Sequence, residues 1–125
     1  MGKRYLIDSN VLIEFSGKLL PQTTIDLISS IIDEEFNISF INKIEVLGHS
    51  SADKNLKEFI NSANIIEISP DITERTIKLR LNHSIKLPDA IIAATALSHN
   101  LILLTRNIND FKGISKLKTE NPWSW

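Results

Sequence analysis

Four carboxylates in this chain stand at positions suited to chemistry. They are Asp8 in "YLIDSN", Glu45 in "INKIEVLG", Asp89 in "KLPDAIIAATAL" and Asp110 in "LLTRNINDF". Asn107 stands three residues before the last of them. Asp8 closes a short apolar run, and Asn107 and Asp110 follow another, so both groups fall where a buried strand ends. Glu45 is spaced four residues from Ile41 and three from Gly48, which puts it on an apolar helical face rather than in open solvent. Asp89 falls in the first turn of a helix that is apolar nearly all round, and burial is expected for it. Each acid also has a structural reading. Asp8 can cap a helix, and Asp89 can complement a helix dipole. Asp110 can make an Asx-turn, and Glu45 can pair with Lys43 or Lys54 at the surface. Taken together, several carboxylates buried near one another are costly unless a cation offsets them, and no matching set of Lys and Arg accompanies all four. A divalent metal meets that requirement. With only oxygen donors at these positions, Mg²⁺ or Mn²⁺ is favoured over zinc.

The elements that must position these groups can be read from the pattern. A strand is expected over Lys3–Ile7, then a helix in "SNVLIEFSG" stopped by Gly17. Pro21 opens a second helix with Ile25, Ile28, Ile31 and Ile32 on one face. "FNISFI" reads as a strand, "NKIEVLGH" as a helix, and "NLKEFINSA" as a helix with Leu56, Phe59 and Ile60 as its stripe. "NIIEIS" follows as a strand. Ser69 and Pro70 form an N-cap and first-turn pair for a helix through about Leu81. "LPDAIIAATALSHN" is a helix, "LILLT" a strand, and "KLKTE" a last edge strand before the "NPWSW" tail. Strands alternating with helices predict an α/β layered domain with a mostly parallel sheet, in which ligands bind outside the carboxyl ends of the strands.

The 125 residues fit one domain, 1–125, with a real core. The absence of cysteine excludes disulfides, zinc fingers and thiolate catalysis, and fits a reducing cytoplasm. The opening "MGKRYLIDSN" reaches Asp8 after three apolar residues, too few for a signal peptide, and no run is long enough to span a membrane. A net charge of -1 argues against a broad basic surface for nucleic acid. Phosphates would have to be neutralised by something other than bulk charge.

Nearly the whole chain resembles the PIN-domain ribonucleases, and most closely the VapC-type toxins of toxin–antitoxin pairs. "YLIDSNVLIEF", the helical Glu of "INKIEVLG", "KLPDAIIAATAL" and "LLTRNINDF" occur in that family's order and approximate spacing. The resemblance implies a three-layer α/β/α fold with a mostly parallel central sheet. It implies a Mg²⁺- or Mn²⁺-dependent endoribonuclease, a homodimer, and inhibition by a small antitoxin protein. Asp8, Glu45 and Asp89 match the acidic triad. Ser9 matches the hydroxyl residue after the first Asp, and Thr105 the hydroxyl at the end of the last strand. The chain departs at the fourth acidic position, where many members carry Asp and this one has Asn107. Asp110 is a form also met among the toxins. The chemistry implied is hydrolysis of RNA phosphodiester bonds by metal-activated water, with Asp110 supplying the fourth carboxylate, directly or through water, and Asn107 orienting a water or the loop.

Arg106, Lys43 and Lys86 are candidates to hold a substrate phosphate, though each also fits a solvated surface role. His49, His83 and His99 lack metal-ligand spacing. Trp123 and Trp125 read as a docked tail, and the stripe of Leu56, Phe59 and Ile60 as core, with a groove for an antitoxin helix around residues 41–63 as the alternative. A haloacid-dehalogenase phosphatase would need an acid where Asn10 stands, and a receiver domain would need clustered acids before the first strand and a late Lys; neither pattern is present. Two further readings stay open: a PIN-fold RNA-processing nuclease outside a toxin pair, and a binding-only module with an impaired fourth metal position.

Overall fold

The computed structural model describes residues 2–50 and 52–125; Met1 and Ser51 lie outside it. In chain order the elements are β1 (Tyr5–Ile7), α1 (Ser9–Ser16), α2 (Gln22–Glu34), β2 (Asn37–Ser39), α3 (Phe40–Leu47), α4 (Lys54–Asn61), β3 (Asn64–Ile66), α5 (Pro70–Asn82), α6 (Leu87–His99), β4 (Ile102–Leu104) and β5 (Thr119–Glu120). Single 3₁₀ turns occupy Ile108–Phe111 and Pro122–Ser124.

All strand pairs are parallel. β4 lies between β1 and β5, with Leu6 opposite Leu103 and Leu104 opposite Glu120, and β2 pairs with β3 with Ile38 opposite Ile65. The expected central sheet is therefore built as two ladders, with β2 packed beside β1. Asn37 joins them through its side chain. It is 1% exposed, and its Nδ2 donates to the Tyr5 carbonyl at 3.2 Å and to Glu35 Oε1 at 2.8 Å. Its Oδ1 accepts from Asn64 Nδ2 at 3.0 Å.

Side chains alternate across the strands and so feed two cores. Leu6 and Leu103 pack with Ile72, Leu79 and Ile92 of α5 and α6. Ile7 and Leu104 pack on the other side with Val11, Leu12, Ile28, Ile38, Val46 and Ile60. Helices thus cover both faces, the arrangement required of a parallel sheet. α6 is buried without interruption from Ala90 to Ala96, as its all-round apolar pattern dictates. It ends at Asn100 in the left-handed conformation, φ 55°, a conformation Asn tolerates at a helix end.

One expectation changes. "FNISFI" is not one strand, because α3 starts at Phe40. Ser39 Oγ accepts from Ile41 N at 3.1 Å and Asn42 Oδ1 accepts from Ser39 N at 2.9 Å, a reciprocal cap that turns the chain helical two residues earlier than its apolar pattern implies. The apolar stripe of α4 is used internally, in line with its reading as core. Ile60 is fully buried, and Phe59 stacks on Phe36 at 4.9 Å and lies 5.6 Å from Phe15.

Asn37→Ala removes the only side chain that hydrogen-bonds one ladder to the other among those described and leaves a buried carbonyl short of a donor. A loss of about 1–3 kcal/mol is expected, seen as a lower urea midpoint with the slope unchanged.

Candidate metal centre

Asp8 sits where β1 becomes α1. Its N–H donates to the Leu104 carbonyl at 2.9 Å, so the backbone is fastened to β4 before the side chain is considered. Its φ/ψ of −76°/158° is that of an N-cap. The carboxylate is 7% exposed and fully engaged. Oδ1 accepts from Ser9 N at 2.8 Å and from Asn42 Nδ2 at 3.2 Å, and Oδ2 accepts from Thr105 Oγ1 at 2.8 Å. The capping contact and the site contacts belong to one carboxylate, so the two readings of Asp8 are not alternatives.

Burial pushes the Asp8 carboxyl above its ordinary value; hydrogen bonds from Thr105, Ser9 and Asn42 oppose the rise, and the charge of Asp110 adds to it. Asp89 is raised as well, first by burial, then by the charges of Asp8, Asp110 and Glu45, against the opposing pull of Lys86. Asp8, Asp110 and Glu45 thus all act on Asp89, and Asp110 acts on Asp8 as well, so Asp110 belongs to that group. Among the described residues no Lys or Arg makes an ion pair with any of the four.

Two placements differ from expectation. Glu45 is exposed, because the phase of α3 gives the buried positions to Asn42 and Val46. It still faces the site, since Ser9 Oγ donates to its Oε1 at 2.7 Å. Asp89 is half-buried rather than buried, because the enclosed part of α6 begins one residue later, at Ala90. Asp110 is exposed on its 3₁₀ turn. Neither Asp89 nor Asp110 has a hydrogen-bond donor to its carboxylate among the described residues, so the Asx-turn reading of Asp110 finds no support. Asn107 is exposed and holds the loop through its backbone, donating from N to Thr105 Oγ1 at 3.1 Å.

The phosphate candidates diverge. Arg106 is ion-paired with Glu14. Lys86 lies exposed just before α6, near enough for its charge to act on Asp89. Lys43 is half-buried on α3 and forms no ion pair among the described residues. Another group of cations lies elsewhere, with Lys3, Arg4 and Arg75 each in an ion pair. A cavity of about 520 Å³ at the opposite, amino ends of the strands is lined by Lys3, Arg4, Arg75, Lys116 and Lys118.

Sequence reasoning overlooked Asn42, Asn10 and Glu14. Asn42 bridges Asp8 and Ser9, the latter at 3.0 Å, and Asn10 Nδ2 reaches Thr105 Oγ1 at 3.4 Å. Their signal was positional: Asn42 is one turn before Glu45, and Asn10 lies two residues past Asp8.

Among the described residues no three His, Asp or Glu side chains converge as a ready-made ligand cluster. The donor chemistry nonetheless fits a hard divalent cation. All donors are oxygens, two carboxylates carry no internal donors, and mutual repulsion is what a cation would relieve.

A PIN-domain family model matches residues 5–117. The chain belongs to the PIN-domain family. PIN domains are nucleases that use divalent metal ions. Among solved structures, this PIN domain is similar to a toxin–antitoxin complex from Klebsiella pneumoniae, at 34% identity and a TM-score of 0.70, covering 94% of this chain and 97% of that one. It is similar to VapBC2 from Rickettsia felis bound to a promoter DNA fragment, at 27% identity and a TM-score of 0.78, with coverage of 94% and 97%. DNA-bound VapBC from Salmonella typhimurium shares the fold, with a TM-score of 0.79 at 19% identity and coverage of 97% and 99%. No curated protein sequence matches.

The raised Asp8 carboxyl has a defined sign. The folded state holds the proton more tightly than the unfolded state, so this group's contribution to stability is greatest at low pH. It declines as pH rises from the ordinary value, 3.8, through the raised one. Asp8→Asn removes that decline and keeps a competent cap. In EDTA the variant is expected to match or exceed wild type at pH 7 and to lose its advantage towards pH 4, as read by thermal unfolding. A deficit of the same size at every pH would make Asp8 a cap alone.

Proposed function

We propose that this PIN domain is a Mg²⁺- or Mn²⁺-dependent endoribonuclease acting as the toxin of a type II toxin–antitoxin pair. The observation that carries the reading is the group of four carboxylates, in which Asp8, Asp110 and Glu45 all act on Asp89 and Asp110 acts on Asp8, with no Lys or Arg ion-paired to any of them among the described residues. In this reading all four hold metal, Asp110 through water where its position on the turn requires it, with the Asn107 amide as a possible further oxygen donor. A bound metal would lower the pKa of its water and offset charge on the scissile phosphate. The chain's own residues do the positioning. Ser9, Asn42 and Thr105 hold the Asp8 carboxylate in one orientation, as outer groups do for metal ligands generally. Ser9 also aligns Glu45. Asp89, with no donor of its own, is free to orient the attacking water.

RNA as substrate is supported by membership in a nuclease family and by the motif resemblance. An antitoxin partner is supported by the complexes in which the similar structures occur. Because the α4 stripe is taken up by the core, the part of the 41–63 region left for a partner helix is the solvent side of α3, where Ile44 is 61% exposed; the link at Ser51 lies outside the described residues. A homodimer and a cytoplasmic location complete the proposal, and among the described residues no helix is long and apolar enough to cross a membrane. A nuclease outside a toxin pair would share this chemistry, and a neighbouring reading frame for a small DNA-binding antitoxin separates the two. Asn107 is the feature that favours a binding-only module, and the reach of Asp110's charge to both Asp8 and Asp89 argues against it.

Cleavage of single-stranded or loop RNA should require Mg²⁺ or Mn²⁺ and stop in EDTA. Asp8→Asn and Asp89→Asn should abolish it. Asp110→Asn should weaken Mn²⁺ affinity by about 10–100-fold, the range for supporting groups, and slow cleavage at limiting metal with partial rescue by excess Mn²⁺. Asn107→Asp should keep or tighten metal binding. EDTA-resistant cleavage that survives all these substitutions would end the proposal; an Asp110→Asn protein equal to wild type beside an inactive Asn107→Ala protein would move the fourth role to Asn107.

A further inference from the structure

One buried carboxylate has no part in the proposed chemistry. Glu14, on the second turn of α1, is 7% exposed. An ionised carboxylate withdrawn from water must have its oxygens matched, and both are. Arg106 Nη1 donates to Oε2, and the indole N–H of Trp123 donates to Oε1 at 3.0 Å. The Arg106 backbone is pinned as well. Its N donates to Asn10 Oδ1 at 3.2 Å, and its carbonyl accepts from Asn121 Nδ2 at 3.5 Å.

Neutralising Glu14 does not account for all of this. The Arg106 side chain is 51% exposed, and its other N–H donors have no acceptor among the described residues. One edge of the guanidinium is fixed to Glu14, and the rest opens to solvent at the carboxyl ends of β1 and β4. Glu14 follows Asp8 by six residues, about 9 Å of helix. That places Arg106 beside the acid cluster but off its centre. The ion pair with Glu14 holds the guanidinium on that side.

We infer that Glu14 is a positioning residue that presents Arg106 to a backbone phosphate flanking the scissile bond. The ligand class is a single-stranded RNA backbone, so the inference rests on the nuclease reading for its setting. The planar fork of Arg106, rather than bare charge, makes the contact. Through its indole bond to Glu14, Trp123 ties the C-terminal tail to the subsite.

The test is a double-mutant cycle on RNA binding, read by fluorescence anisotropy of labelled single-stranded RNA in the non-cleaving Asp8→Asn background across a salt series. Arg106→Ala should weaken binding about tenfold and flatten the slope of log affinity against log salt by about 0.7, the loss of one single-strand phosphate contact. Glu14→Gln should weaken binding too, although it deletes a negative charge, and should add nothing in the Arg106→Ala background. Arg106→Lys, which keeps the charge but not the fork, and Trp123→Phe, which removes only the indole donor, should give intermediate losses; they decide the matter if Glu14→Gln does not fold. Tighter RNA binding by Glu14→Gln, full additivity with Arg106→Ala, or wild-type binding by both milder variants would overturn the inference. Failure of wild-type cleavage in Mn²⁺ with the cycle intact would instead fault the nuclease reading and leave the phosphate subsite standing.

Discussion

The structure turns on one carboxylate held out of water at a strand end. Asp8 is attached to β4 twice, by its backbone N–H to Leu104 and by its side chain to Thr105. The pairing of β1 with β4 therefore fixes both the backbone and the carboxylate of the same residue. Asn42 brings in α3 from the other side, and through Ser9 it brings Glu45. Three segments far apart in sequence, near residues 8, 42 and 105, meet at a group that is costly to bury. Such a convergence is stable only because each oxygen of Asp8 has a donor.

The remaining acids are arranged so that their repulsion stays tolerable. Asp8 alone is buried; Asp89 is half-buried, and Glu45 and Asp110 are exposed, where water and salt screen them. A second group of cations, among them Lys116 and Lys118, lies at the other end of the strands. Parallel strands make this separation natural, since all carboxyl ends fall on one side. A chain of net charge -1 thus has acidic and basic ends without a basic surface overall.

How much of this was legible in the sequence depended on range. The helix starts at Ser9, near Pro21, at Pro70 and at Leu87 follow from local capping and proline chemistry, as does the burial of Ala90–Ala96. The four acids were visible because each occupied an odd place in a pattern. The polar groups that hold them were not, since Asn42 looks like any surface amide until Asp8 is brought to it across 34 positions. Glu14 was hidden for the same reason, its partners lying 92 and 109 residues away. The start of α3 was misread locally, because the Ser39–Asn42 cap overrode an apolar run that reads equally well as strand.

In the proposed centre, the loop after β4 divides between an amide and an acid a task that one acid could perform. Thr105 Oγ1 already donates to Asp8 and accepts from the backbone N–H of Asn107, which draws residue 107 close to the buried carboxylate. A negative side chain at 107 would add like charge beside a group whose carboxyl burial has already raised. In the metal-free protein that charge would oppose folding. An amide there keeps an oxygen available without the repulsion, and its backbone still anchors the loop. The charge sits instead at Asp110, one 3₁₀ turn on and exposed, where its field still reaches Asp8 and Asp89 but water moderates it. In the proposed centre, this division lowers the cost of the empty state while leaving a fourth carboxylate within reach of a hydrated Mg²⁺, which keeps several waters of its own.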